Sequence, residues 1–130
     1  MRSELPIPKL LEKAQRIFNA FIRQRDADKT CITCGKYKIE HACHFYSAGH
    51  YTSLRFNEDN VHGGCLQCNY FKHGSGNEYR RNILTRIGQQ RLDFLDSIAT
   101  RQRAKKWDRL ELEQIIKEYK TKTNERLQSN

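Results

Sequence analysis

Long apolar runs are missing from this chain of 130 residues. No stretch approaches the roughly 20 consecutive apolar residues that a bilayer-spanning helix needs. The N-terminal segment MRSELPIPKLLEKAQ also lacks the apolar region and the small-residue cleavage site of a secretory signal. These absences predict a cytoplasmic protein without a membrane partner. In that compartment thiols stay reduced, so paired cysteines indicate metal binding rather than disulfides.

Acidic residues are scarce relative to basic ones. The chain has 24 lysines and arginines against 15 aspartates and glutamates, and its formal charge is +9. This excess favours a polyanionic partner, most often a nucleic acid, over a merely basic soluble protein. Only 37% of the residues are hydrophobic. The core is therefore expected to be small and to need a staple such as a metal ion.

Both ends of the chain show the periodicity of amphipathic helices. Residues 8–25 carry apolar side chains at i, i+3 and i+4 spacing, which predicts an N-terminal helix. Apolar stripes return near the C-terminus, where Gly88 is a helix C-cap and Asp108 forms a capping box with Glu111. The polar tail after Lys120 is expected to fray.

The middle of the chain lacks this periodicity. It contains a β-prone segment, YKIEHACHFY, and turn signals such as NEDN and HGG. The sequence therefore predicts one mainly helical α+β domain over residues 1–130. Its parts are an N-terminal helix (8–27), a metal-bound core (31–76) and C-terminal helices (77–122).

Two CxxC pairs are the strongest signal, Cys31 with Cys34 and Cys65 with Cys68. Four thiolates close a tetrahedral zinc site, and the two-residue spacer lets both sulfurs of a pair reach one ion. Thirty residues separate the pairs, so an element is inserted between them. Zinc bound by four sulfurs has no open position, which predicts a structural Zn²⁺. The fifth cysteine, Cys43, is expected to be a small buried hydrophobe.

All five histidines fall between residues 41 and 73. Asn69 follows the second CxxC, and His73 lies one helical turn further on. A helix beginning there would place both side chains on one face, where an i, i+4 pair can hold a metal ion. His50 lies in the inserted segment, which zinc would hold against that helix. This arrangement predicts a second, catalytic constellation.

For each of these residues, a structural or solvent-exposed role is the alternative. Asn69 can cap a helix, and Asn60 can belong to a turn. His73 can be a solvated helix residue, and His50 can be a hydrogen-bonded structural histidine.

The succession of CxxC, AGHY, RFNEDNVH, CLQCN and GNEYR resembles the HNH, or ββα-metal, nuclease superfamily. More narrowly it resembles the NinG (Rap) recombination proteins of lambdoid phages, with recombination endonuclease VII as a more distant relative. The resemblance covers nearly the whole chain. It implies a zinc-stapled HNH core with an N-terminal helix and two to three C-terminal helices. It also implies a metal-dependent endonuclease that cuts branched DNA, such as Holliday junctions, in the bacterial host cell.

The resemblance implies a role for each motif residue. His50 would activate the attacking water, and Asn60 would orient the catalytic loop. Asn69 would bind the catalytic cation, Mg²⁺ or Mn²⁺, and His73 is a second candidate ligand.

The motif departs from the family pattern just before His50. Gly49 stands where many HNH enzymes have an aspartate or histidine, and Ser47 stands where related phage sequences have an aspartate. One alternative is that His44 supplies the missing ligand, because strand alternation would place it on the same face as His50. Another is that His50 is itself a ligand and the base lies elsewhere. The third is a weakly active enzyme.

The expected DNA contacts are basic residues in and after the motif, namely Arg55, Lys72, Arg80 and Arg81. Paired cuts in a junction favour a homodimer, and recombination proteins are candidate partners. The main alternative function is a non-catalytic, zinc-dependent DNA-binding accessory protein of recombination, favoured by Gly49 and Ser47. An RNA-binding zinc ribbon is a third interpretation, but no RNA-specific aromatic motif supports it.

Overall fold

The structure of the chain, a computed structural model, describes residues 4–71 and 76–129. These residues form five α-helices and one antiparallel pair of strands, so the predicted mainly helical α+β class is confirmed. None of the described helices is long and apolar enough to cross a membrane. In chain order the elements are α1 (Ile7–Arg25), β1 (His41–His44), β2 (Val61–Gly64), α2 (Leu66–Phe71), α3 (Gly76–Ile87), α4 (Gln89–Arg101) and α5 (Arg109–Ser129).

The β1–β2 hairpin lies between two apolar clusters. Alternation along β1 sends Ala42 to the cluster of α1 and α5, and Cys43 to the cluster of α3 and α4. Because both faces of the hairpin are covered, every residue of β2 is buried. The buried members of the first cluster are Leu10, Ala14, Phe18, Phe21, Ile22, Phe56, Val61, Leu112 and Tyr119. Those of the second are Ile32, Cys43, Leu54, Tyr79, Ile83, Leu92, Leu95 and Ala99.

The predicted helix signals at α1, α3 and α5 are confirmed. The apolar stripe of α1 faces the core, and Phe18 meets Tyr119 of α5 edge to face, with ring centroids 4.7 Å apart. Gly88 takes φ +85° where α3 ends, a conformation that favours glycine. At the start of α5, Glu111 N donates to Asp108 Oδ1 at 2.8 Å, and Asp108 N donates to Glu111 Oε1 at 3.0 Å.

The prediction of a frayed tail after Lys120 is wrong for the described residues, because α5 continues to Ser129. Lys122 pairs with Glu58 of the hairpin loop at 2.7 Å, and Arg126 donates to the Arg25 carbonyl at 3.4 Å. These contacts with distant residues stabilise the polar end of the helix. They cannot be predicted from the helical periodicity of the sequence.

The two glycines of β2 allow unusually close packing. A Cβ atom at Gly63 would lie 2.6 Å from Ile39 Cγ2 and 3.1 Å from Asp26 Cβ. One at Gly64 would lie 2.7 Å from Cys43 Sγ. The absence of side chains here therefore lets β2 approach both the end of α1 and its partner strand.

We expect Gly63→Ala to lower the free energy of unfolding by about 1–3 kcal/mol, the usual cost of overpacking a core. Urea denaturation followed by circular dichroism measures this change. Gly49→Ala is the matched control, because a Cβ atom there meets nothing within 4 Å. Equal losses of stability in the two variants would contradict the packing explanation.

Candidate functional site

The side chains of the two CxxC pairs converge on one point, which we name the cysteine cluster (Cys31, Cys34, Cys65 and Cys68). Their Sγ atoms all lie within 4.8 Å of one another. Backbone N–H groups point at the sulfurs. Lys36 N lies 3.5 Å from Cys34 Sγ, and Cys68 N lies 3.4 Å from Cys65 Sγ. The cluster joins the turn after α1 to the start of α2.

The electrostatics of the cysteine cluster suit a cation. Burial opposes ionisation of Cys34, but N–H donors from Lys36 and Tyr37 outweigh it and lower the pKa of Cys34 to about 6. Burial and the neighbouring sulfurs raise the pKa of Cys65 and Cys68. A divalent ion would offset the repulsion among the sulfurs and let all four ionise. The four cysteines can therefore hold a metal ion such as zinc, and the compact all-sulfur donor set fits that ion.

Cys43 differs chemically from the four clustered cysteines. Burial raises its pKa to about 12, and the nearby Cys31 and Cys65 add to the effect. The group is therefore a neutral thiol, and its Sγ donates to Asn69 Oδ1 at 3.4 Å. The prediction that Cys43 is a small buried group is confirmed. Its contact with Asn69 was not foreseen.

Asn60 fixes the loop that joins β1 to β2. Its side chain is fully buried. Its Oδ1 accepts from Tyr46 N at 2.8 Å, while its Nδ2 donates to the carbonyls of Tyr46 and Leu54 at 2.9 and 3.1 Å. Its own carbonyl accepts from Phe45 N at 2.9 Å. The first residues of the loop are thereby tied to its middle and its end.

His44 ends β1 and lies on the side of the hairpin that meets α1. Its Nε2 donates to the Arg55 carbonyl at 3.0 Å, and Gln15 of α1 donates to the same carbonyl at 3.2 Å. Because a carbonyl only accepts, the imidazole proton is on Nε2 and Nδ1 keeps its lone pair. Burial lowers the pKa of His44, so the ring is neutral at pH 7.

His50 lies on an exposed turn, six residues beyond the end of β1. Its Nδ1 is 3.0 Å from Ser47 Oγ, and its backbone N–H donates to the same oxygen at 3.3 Å. The prediction that strand alternation relates His50 to His44 is wrong, because β1 ends at His44. His62 lies in β2, is buried and donates from Nε2 to the Asp59 carbonyl at 2.8 Å.

Asn69 lies in α2, on the side that faces β1 at Cys43. The helix begins at Leu66, slightly before the predicted start near Cys68. The hairpin and the helix that carries Asn69 are therefore in contact. His73 and Lys72, the predicted metal ligand and DNA contact, lie outside the described residues.

The predicted DNA-contacting arginines differ in how strongly they are engaged. Arg80 pairs with Asp96, which also accepts from the Tyr46 hydroxyl. Arg81 is exposed on α3 and has no ion pair among the described residues. Arg55 is partly buried in the hairpin loop, and its Nε has no hydrogen-bond acceptor in the described part of the chain. A bound phosphate would have to compete with Asp96 for Arg80. At Arg81 no acidic side chain of the described residues would compete with it.

A buried ion pair behind the hairpin was missed by the sequence reasoning. Asp26 is 2% exposed. Arg25 donates to both of its oxygens, at 2.8 and 3.0 Å, and Gly63 N donates to Oδ2 at 2.8 Å. Burial opposes ionisation, but these donors outweigh it and lower the pKa of Asp26. The periodicity of residues 8–25 predicted α1 but not this network, because Gly63 and Arg86 lie far from Asp26 along the chain.

We expect Cys34→Ser to lose tightly bound zinc and to unfold more readily, since a thiolate ligand is removed from the cysteine cluster. Metal content after gel filtration, measured by atomic emission, tests this expectation. Cys43→Ser is the matched control and should keep one zinc ion per chain. Loss of zinc from the control alone would show that the ligands are assigned wrongly.

Comparison with known proteins places the chain among phage proteins. A family model described as "Bacteriophage Lambda NinG protein" matches residues 6–128. The chain is 39% identical over 118 residues to Protein ninG of Escherichia phage lambda, covering 86% of this chain and 54% of that protein. It is 37% identical over 118 residues to Protein ninG of Salmonella phage P22, covering 86% and 55%.

A third relative, Protein ninG of Escherichia phage 933W, is 39% identical over 99 residues, which cover 72% of this chain and 47% of that protein. The chain thus spans about half the length of the curated relatives it matches. No solved structure matches it. Since the family model extends over nearly all of its residues, the chain belongs to the NinG family.

Proposed function

We propose that this chain is a metal-dependent endonuclease of phage recombination that hydrolyses phosphodiesters in branched DNA such as Holliday junctions. The observation that carries the proposal is His44, a neutral histidine at the end of β1 whose Nε2 proton is held by the Arg55 carbonyl. The neighbouring Cys43, which points to the opposite side of the strand, contacts Asn69 of α2. Asn60 fixes the loop that follows His44, and the cysteine cluster can clamp the hairpin to the helix. Strand, fixed loop and helix match the parts that the ββα-metal resemblance implies.

Hydrolysis of a phosphodiester needs a base that takes a proton from water. His44 suits this role because it is neutral and because the Arg55 carbonyl holds its Nε2 proton, which leaves Nδ1 as the acceptor. The resemblance gives the role to His50, whose ring is exposed and oriented only by Ser47. We therefore assign the base to His44 and keep His50 as the alternative.

Asn69 would hold the catalytic cation through its amide oxygen, with His73 as the second candidate ligand. An amide oxygen suits Mg²⁺ or Mn²⁺, and a histidine in the set would favour Mn²⁺. When bound, the cation would supply positive charge for the leaving 3′ oxygen. Cys43 donates to the Asn69 amide oxygen in this structure. Because Cys43 is a neutral thiol, it adds no negative charge beside that oxygen.

A non-catalytic DNA-binding accessory protein is the second candidate function. It is favoured because, within residues 4–71 and 76–129, no group of three or more histidine, cysteine or acidic side chains other than the cysteine cluster could hold a metal ion. Gly49 and Ser47, in place of the acidic residues of related motifs, point the same way. Both candidates require DNA binding, so only an assay of cutting separates them.

We expect the zinc-loaded protein to cut a labelled four-way junction, and not a matched linear duplex, when Mg²⁺ or Mn²⁺ is present. His44→Ala should lower the rate by about 10²–10⁴-fold, the usual contribution of a general base. His50→Ala should retain most of the activity. Both variants should bind the junction as tightly as the wild type, which gel retardation without the cation measures.

Three results would change these assignments. Loss of cutting in His50→Ala with activity retained in His44→Ala would move the base to His50. Tight junction binding by the wild type without cutting under any cation would favour the accessory protein. Failure to bind branched DNA at all would remove both candidates.

The pH dependence of cutting checks the base independently. Burial lowers the pKa of His44 below its ordinary value of 6.5, so the neutral, active form persists into more acidic solution. We expect the rate to be level around pH 7 and to decline only below pH 6.5. Zinc content is measured across the same range as a control. A decline that begins above pH 6.5 with zinc retained would exclude His44 as the base.

A further inference from the structure

The segment between α4 and α5 has no regular secondary structure but carries a dense run of positive charge. We name residues 101–106, with the sequence RQRAKK, the basic strap; Arg101 is the last residue of α4, and residues 102–106 lie beyond that helix. Four of its six side chains are basic and none is acidic. All six residues are exposed.

Hydrogen bonds hold the strap and the residue that follows it against the hairpin loop. Ser53 N donates to the Arg103 carbonyl at 3.0 Å, and Lys105 N donates to Thr52 Oγ1 at 2.7 Å. Trp107 Nε1 donates to the Thr52 carbonyl at 2.9 Å. The strap is therefore fixed beside the short 3-10 helix at Thr52–Leu54, in the loop whose Arg55 carbonyl holds His44.

The charges of the strap are less compensated than those of the neighbouring helices. In α3 and α4, Arg80, Arg86 and Arg91 each pair with an aspartate, whereas Arg81 of α3 has no ion pair among the described residues. Within the strap, Lys105 pairs with Glu111 at 2.6 Å. The described part of the chain offers no ion pair to Arg101, Arg103 or Lys106. The strap therefore presents three uncompensated cations along one side of the hairpin loop.

We propose that the basic strap binds the phosphates of a DNA duplex arm and holds that arm beside the hairpin loop. DNA offers a line of phosphates, spaced by about 3.4 Å of helix axis per strand, to which successive cations along the strap can bind. Because the strap bonds to the loop through the backbone of Arg103 and Lys105, the side chains of Arg101, Arg103 and Lys106 can contact the ligand without disturbing that attachment. This inference rests on the proposed function and identifies where its substrate binds.

The test compares two double variants that lose the same charge. Arg103→Gln with Lys106→Gln removes two of the four positive charges of the strap, whereas Lys117→Gln with Lys120→Gln removes two from exposed lysines of α5. Fluorescence anisotropy gives the Kd for a labelled four-way junction between about 50 and 200 mM salt, without Mg²⁺ or Mn²⁺. We expect the slope of log Kd against log salt to fall by about 2 in the strap variant, near 0.9 per lost contact. The α5 variant should keep the wild-type slope.

One further variant and one further substrate sharpen the result. Arg103→Lys with Lys106→Arg keeps both charges and should keep the slope, while zinc content and circular dichroism confirm that each variant is folded. An unchanged slope in the Arg103→Gln, Lys106→Gln variant, or an equal fall in the α5 variant, would overturn the proposal. Strap-dependent binding of an RNA duplex in preference to DNA would overturn the choice of ligand.

Binding and cutting can fail separately in this design. Strap-dependent binding by a wild type that never cuts would support the strap and reject the nuclease. If the wild type cuts the junction but the strap variant binds it with the wild-type salt dependence, the nuclease is supported and the strap proposal is rejected.

Discussion

The buried carboxylate of Asp26 is the constraint on which the position of the hairpin depends. It lies at the end of α1, accepts from Arg25 and from the backbone of Gly63, and has Arg86 of α3 at 3.6 Å. A buried charge that loses its partner destabilises a fold by about 3–5 kcal/mol, so this network strongly favours one placement of β2. Gly63 has no Cβ atom to keep the strand away from Asp26. Since Cys65 follows β2 directly, the same contacts bring the second CxxC to the first.

The candidate active site is held mainly by main-chain groups. Asn60 bonds to the backbone at Tyr46 and Leu54, and the His44 ring bonds to the backbone at Arg55. Backbone partners do not depend on the identity of the side chain at the bonded position. The shape of the hairpin loop can therefore persist while its side chains vary, and a ring held in one tautomer is ready to accept a proton without rearrangement. The exposed His50 lacks such support.

The sequence predicted those features whose geometry is set by neighbours along the chain. CxxC spacing places two sulfurs close together by itself, periodicity defines α1, and the Asp108–Glu111 box marks the start of α5. Features that depend on distant residues were missed. Strand alternation was extended to His50 because nothing local shows that Asn60, sixteen residues after His44, closes the loop there. The pairing of Lys122 with Glu58, which extends α5, is equally non-local.

The net charge of +9 does not show which basic side chains of this chain are available to bind DNA. Pairing with aspartates compensates the charges of Arg80, Arg86 and Arg91 within the chain. Three cations without an ion pair among the described residues lie in the basic strap, which is anchored to the loop that positions His44. A duplex arm bound there is tied through one continuous set of hydrogen bonds to the proposed base. In the proposed function, substrate placement and catalysis would share this loop, so changes that loosen it would affect both.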